Sequence, residues 1–138
     1  VRASLTDMLE MNRLTSVKKG CEVGECGACN VIIDGECFNS CIYLAVWADG
    51  EKYPDTGEPS GTEGELSDIQ QAFIDETAVQ CGFCTPGVIM SAVEILESGK
   101  EYTREEFGNF YPDTCAAVPD MKTFECGTKD HVQTTGKN

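Results

Sequence analysis

Four cysteines stand close together with a spacing that suits iron. Cys21, Cys26 and Cys29 form a C-x4-C-x2-C run, and Cys41 follows. Irons bridged by sulfides need four thiolates around a compact core, and this is the spacing of plant-type [2Fe–2S] sites. One loop can deliver three of those thiolates only if it bends sharply. Gly24 and Gly27 permit the bends and let backbone N–H groups lie close to sulfur. Lys18 and Lys19, just before the loop, are expected to offset the negative charge of such a cluster. A structural zinc site is the competing reading. Zinc usually takes two C-x2-C-like pairs, and the x4/x2 asymmetry fits that poorly. Cys37 interrupts the pattern and reads as a bystander thiol.

A second pair, Cys81 and Cys84, has C-x2-C spacing at the mouth of a helix. The positive end of that helix favours thiolate. A thioredoxin-like redox pair shares the spacing, but no βαβ pattern surrounds it. Gln80, beside Cys81, reads from the residue alone as a helix-end amide bonded to backbone. Cys115 and Cys126 stand apart from both groups. His131 is the only histidine, and no general base or nucleophile is identified.

The elements that must position these thiols can be read in outline. Leu5, Met8 and Leu9 make one apolar face of a short helix, with Ser4 or Thr6 near its start. Val31, Ile32 and Ile33 form a strand run ending at the tight-turn pair Asp34-Gly35. The run from Ile42 to Ala48 is apolar and ends at Asp49-Gly50. Between the cysteine groups, Pro54, Gly57, Pro59, Gly61 and Gly64 mark a linker, and a boundary is placed there. Beyond it, Ser67 and Gln70 make a capping box, with Leu66, Ile69 and Phe73 at helical spacing. Thr85 is suited to cap a further helix with Pro86 at its first position. Ile89, Ala92, Val93 and Leu96 form the expected buried stripe of that helix, and Gly99 ends it. Thr103 and Glu106 make another capping box.

Composition narrows the class. The chain has 138 residues, nine cysteines and a formal charge of −14. That length suits one domain or two small ones, and bound metal could supply stability that small modules lack. The acidic balance excludes nucleic acid as a partner, because phosphates need a basic face. No apolar run approaches the roughly 18–20 residues that span a bilayer, so no membrane role is expected. An odd number of cysteines without a visible export signal points to a reducing compartment, the cytoplasm, with thiolates on metal. The chain begins at Val1, so its true start is expected upstream.

The run Val17-Lys18-Lys19-Gly20-Cys21-Glu22-Val23-Gly24-Glu25-Cys26-Gly27-Ala28-Cys29, with Asn39-Ser40-Cys41 and Val79-Gln80-Cys81-Gly82-Phe83-Cys84-Thr85-Pro86-Gly87, resembles the small iron–sulfur subunit of molybdenum hydroxylases. Tyr43 to Ala48 and Asp68 to Ala72 look most like the separate iron–sulfur subunit of bacterial xanthine dehydrogenases. The resemblance covers roughly residues 5–106. It implies an α+β fold: a β-grasp ferredoxin-like domain at 1–58, lacking its first hairpin, a linker at 59–65, and a helical [2Fe–2S]-binding domain from 66. That second domain would be all-α, with four helices in the family and incomplete here. The resemblance further implies that Cys21, Cys26, Cys29 and Cys41 hold one cluster and that Cys81 and Cys84 supply half of a second. It places Gln80 against the pterin of a molybdenum cofactor. The implied partners are a molybdopterin-binding large subunit and an FAD-binding subunit, and the implied role is electron transfer between them. A free-standing ferredoxin-like carrier and a zinc-stabilised binding module are the alternatives.

The chain departs from the family in one further place. The helical domain of the family closes on a Cys-x-Cys motif, which is absent here. Joining the last base of each codon to the first two of the next, with permitted third bases, converts Tyr111 to Met121 into Ser-Gly-His-Leu-Cys-Arg-Cys-Thr-Gly-Tyr. Residues 107–138 are therefore expected to be out of frame and poorly ordered, and 66–106 to lack the last two ligands of the second cluster.

Overall fold

The computed structural model describes residues 2–50 and 66–100. The elements are α1 (Leu5–Met11), β1 (Asn30–Ile33), β2 (Glu36–Asn39), a 3-10 turn (Ala45–Ala48), α2 (Asp68–Asp75) and α3 (Thr85–Glu97). The linker at 59–65, the Thr103/Glu106 box and the stretch 107–138 lie outside the described residues. Among the described residues, no helix is long and apolar enough to cross a membrane.

Local chemistry sets the ends of these elements. Ser4 caps α1: its hydroxyl accepts from the Asp7 N–H at 3.1 Å, and the Asp7 carboxylate accepts from the Ser4 N–H at 3.2 Å. Ser67 and Gln70 form the expected box at the start of α2. Asp34 and Gly35 take φ of 51° and 87°, the pair of positive values that closes a two-residue hairpin. They pair Ile33 with Glu36 across an antiparallel ribbon. Gly99, at φ 63°, ends α3 as expected, although the N-cap is Cys84 and Thr85 is already helical.

The two halves of the chain meet on β1. All three of its apolar residues are buried, and alternation along the strand divides them. Val31 and Ile33 pack with Leu5 and Ala48 on the α1 side. Ile32 points the other way into a cluster with Phe73, Val88, Ile89, Met90, Ala92 and Ile95. Helix α3 is thus covered by the ribbon on one side and by α2 on another. Its buried surface is correspondingly wider than the single stripe expected: Val88, Met90, Ser91 and Ile95 are buried, while Val93 is only half-buried. Leu66 is exposed, and of the apolar face of α2 only Phe73 is fully covered. The apolar run after Cys41 also differs from a core strand. Ile42, Val46 and Trp47 are more than half exposed, and Ala48 alone is buried.

Candidate metal centre

The loop from Gly20 to Cys29 folds around its own sulfur atoms. Glu22, Gly24 and Gly27 all have positive φ, at 58°, 79° and 65°. These bends aim three N–H donors at one atom: Cys21 Sγ accepts from Val23 at 3.5 Å and from Glu25 and Cys26 at 3.2 Å each. The Cys21 N–H in turn donates to Cys26 Sγ at 3.4 Å. A Cβ at Gly20 would lie 2.6 Å from Cys26 Sγ, so a larger residue there would displace that sulfur. Donation from Val23 above all, then from Cys26 and Glu25, lowers the Cys21 thiol to about 6.

Cys29 and Cys41 form the other side of the site. Cys29 is buried at the foot of β1. Burial, together with a hydrogen bond to Cys29, raises the Cys41 thiol to about 11. Both cysteines hang on a buried polar relay. The Ser40 hydroxyl donates to the Cys29 carbonyl at 2.6 Å. With its own proton engaged there, Ser40 Oγ accepts from Thr6 Oγ1 at 2.6 Å. Thr6 lies in the first turn of α1, and its N–H also donates to the Ser40 carbonyl at 3.2 Å. Asn39 Nδ2 donates to the Gly24 carbonyl at 2.9 Å and fastens the loop to the end of β2.

The arrangement fits a two-iron cluster by donor type and grouping. Cys21 and Cys26 each donate a backbone N–H to the other's sulfur, and Cys41 is hydrogen-bonded to Cys29. A [2Fe–2S] cluster takes four thiolates, two on each iron. Among the described residues, no three His, Cys, Asp or Glu side chains are grouped closely enough to hold a metal ion. The lysines do not take the place expected of them. Lys19 Nζ pairs with Asp7 at 2.7 Å and Glu10 at 2.5 Å on α1, which holds the Asp7 carboxyl down at about 2. Lys18 Nζ donates to the Thr15 carbonyl. Backbone N–H groups are left to meet the sulfurs.

The second pair is built differently. Cys81 is exposed, and Cys84 is half-buried as the N-cap of α3. Gly82 between them has φ 77°. Gln80 is exposed, with exposed Val79 and Phe83 on either side of it in the chain. Cys37 belongs to neither group. Its burial raises the thiol to about 11, and its Sγ lies 3.7 Å from Ser91 Oγ on α3. Thr6, Asn30, Ser40 and Ser91 were not legible as site residues. The one available signal was a short polar residue directly flanking Cys29 and Cys41, where burial demands a partner.

Fold and loop together define the class: a thiolate-lined ferredoxin-like unit joined to a helical module bearing a further thiol pair. Residues 1–55 match the 2Fe-2S iron-sulfur cluster binding domain family, and residues 56–115 match the [2Fe-2S] binding domain family. The xanthine dehydrogenase iron-sulfur-binding subunit of Escherichia coli O157:H7 is 50% identical over 97 residues, 70% of this chain and 60% of that protein. The nicotine 6-hydroxylase small subunit of Paenarthrobacter nicotinovorans is 44% identical over 106 residues, 76% of this chain and 63% of that one. The chain therefore spans about three-fifths of the length of these curated relatives. The solved structure of quinoline 2-oxidoreductase from Pseudomonas putida 86 superposes with a TM-score of 0.72 at 33% identity, covering 93% of this chain and 85% of that one. The chain belongs to the family of two-domain [2Fe–2S] small subunits of molybdenum hydroxylases.

Proposed function

We propose that the chain is the electron-transfer subunit of a molybdopterin-dependent hydroxylase of the xanthine dehydrogenase type. In this reading Cys21, Cys26, Cys29 and Cys41 hold the first [2Fe–2S] cluster, and Cys81 and Cys84 hold part of a second. Bound clusters supply one-electron steps between a molybdenum site on a large subunit and FAD on another. The chain's own residues do the rest. The N–H groups of Val23, Glu25 and Cys26 meet sulfur charge, and the Thr6–Ser40 relay fixes Cys29. In the same reading Gln80, which is exposed, contacts the pterin on the large subunit. A purine substrate and a cytoplasmic setting follow the likeness to the xanthine dehydrogenase subunit.

The observation that carries this reading is the loop itself: the Val23, Glu25 and Cys26 N–H groups face Cys21 Sγ, the Cys21 N–H faces Cys26 Sγ, and Cys41 is hydrogen-bonded to Cys29. A free-standing carrier would have no use for a second module that shares a core with the first. Iron and sulfide analysis with electron paramagnetic resonance (EPR) tests it. Anaerobically loaded protein should be red-brown and give a signal after reduction. A colourless, EPR-silent product would sink it. Iron for one cluster supports the absence of the second cluster's last ligands, whereas a full complement of two would overturn the out-of-frame reading of 107–138.

A further inference from the structure

Helix α3 turns one face to the first cysteine loop and the ribbon that follows it, and its contacts fall at Gly87 on the loop, Ser91 on β1 and Glu94 on β2, the i, i+4, i+7 spacing of a single face. A Cβ at Gly87 would lie 2.1 Å from the Gly27 carbonyl oxygen and 3.0 Å from Ala28 backbone atoms. The helix is therefore docked backbone to backbone on the turn that precedes Cys29. Glu94 Oε1 accepts from the Cys37 N–H of β2 at 3.0 Å. Between these contacts sits Ser91, only 3% exposed. Its Oγ accepts from Asn30 Nδ2 at 2.7 Å and donates to the Gly87 carbonyl at 3.4 Å. Asn30 directly follows Cys29. The Asn30 N–H donates to the Gly27 carbonyl at 3.1 Å, and its side-chain amide packs on Gly27, where a Cβ would lie 3.2 Å from Nδ2.

We propose that Ser91 is a positioning residue for the first thiol set: from the helix that begins at Cys84, its hydroxyl holds Asn30 and thereby the Gly27-to-Cys29 turn. The inference rests on the reading of Cys21, Cys26, Cys29 and Cys41 as cluster ligands. Hydrogen bonding and solvent exposure around the sulfurs set the potential of such a cluster. A side chain that fixes the turn next to a ligand therefore acts on the potential. A side chain that merely fills the core acts on stability alone.

The test uses the full chain carrying Ser91→Ala, Asn30→Ala, both together, Ser91→Thr, or Cys37→Ala. Ser91→Ala should leave iron content at the first site unchanged and alter its EPR line shape. It should shift the reduction equilibrium about threefold, roughly 30 mV for one electron. Asn30→Ala reports the same link without opening a gap in α3, and the double variant should shift no further than either single one. Ser91→Thr, which keeps the hydroxyl, should restore the wild-type potential. In the metal-free chain, Ser91→Ala should speed hydrogen exchange at the Asn30 N–H about fivefold, as expected for one lost hydrogen bond. Unchanged potential and exchange, additive shifts in the double variant, or the same shift from Cys37→Ala would each overturn the proposal. If wild-type protein takes up no iron while exchange responds as stated, the cluster reading fails and the tie between Ser91 and Asn30 stands.

Discussion

The two cysteine groups solve the same problem to different depths. Around Cys21 the backbone itself supplies the site: three N–H donors face one sulfur, and a glycine makes room for Cys26. Cys29 and Cys41 are fixed from behind by Thr6 and Ser40. Around Cys81 there is an exposed thiol, a bend at Gly82 and the first turn of α3. A helix start offers a favourable dipole, but its effect fades within a turn. The first group is preorganised by the chain that carries it. The second has one exposed thiol ahead of α3 and one at its N-cap, and in the proposed reading needs ligands from elsewhere to close.

The contrast is sharpest under substitution of a thiol. Cys29→Ala removes the buried member of the first group and should abolish its iron content and visible absorbance. Cys81→Ala should leave that absorbance within a few per cent of wild type, since Cys81 lies outside the first loop. Equal losses from both would show that the two groups are not independent sites. Gly87→Ala attacks the contact between the regions instead. A methyl group 2.1 Å from the Gly27 oxygen cannot be accommodated without backbone movement. A destabilisation of roughly 3 kcal/mol is expected, at the upper end for overpacking. Gly99→Ala is the control: its Cβ would meet open space, so the cost is only that of a left-handed alanine, about 1 kcal/mol. Chemical denaturation of the metal-free chains gives both values. Similar costs at the two glycines would mean that α3 is not seated on the loop.

What could be read from the sequence was local, and what could not was the meeting of distant pieces. Asp34-Gly35, the Ser67/Gln70 box and the Gly99 stop each carry their meaning within a few residues, and each appears where it was expected; the C-x4-C-x2-C run is equally local. Gly87 reads as one more residue of a Pro-led helix; its need for a bare Cα comes from Gly27, far away in the chain. Ser91 and Asn30 are 61 positions apart, and no periodicity links them. Lys19 was misread for the same reason. Its proximity to Cys21 in sequence suggested charge compensation, while the fold brings Asp7 and Glu10 of α1 within reach of its ammonium. The buried stripe of α3 came out too narrow because one helix alone does not announce that two neighbours cover it.

The relay behind Cys29 gives a subtler break. Ser40→Ala deletes the donor to the Cys29 carbonyl and leaves the Thr6 hydroxyl buried without its partner. Stranding buried polar groups costs about 1–3 kcal/mol, so a loss of about 2 kcal/mol is expected, with faster release of iron from the first site to a chelator. Thr6→Val/Ser40→Ala, which removes both hydroxyls, should recover part of that loss because no polar group is then stranded. A double variant worse than the single one would show that the relay acts by more than mutual satisfaction.

The smallest effect belongs to the far end of the second region. Ser67 caps α2 by accepting from the Gln70 N–H at 3.3 Å, while Gln70 Oε1 accepts from the Ser67 N–H at 2.8 Å. Ser67→Ala should cost about 1 kcal/mol, the usual value of such a cap. Phe73 carries α2 into the core that α3 shares with Ile32, so the loss should appear in global unfolding of the metal-free chain. It should not appear at the first thiol set, because the two hydrogen bonds of the cap stay within the first turn of α2. The absorbance and EPR signal of the first cluster should therefore match wild type. A change there would mean that order in the first loop depends on the whole helical module, and not only on the face of α3 that touches it.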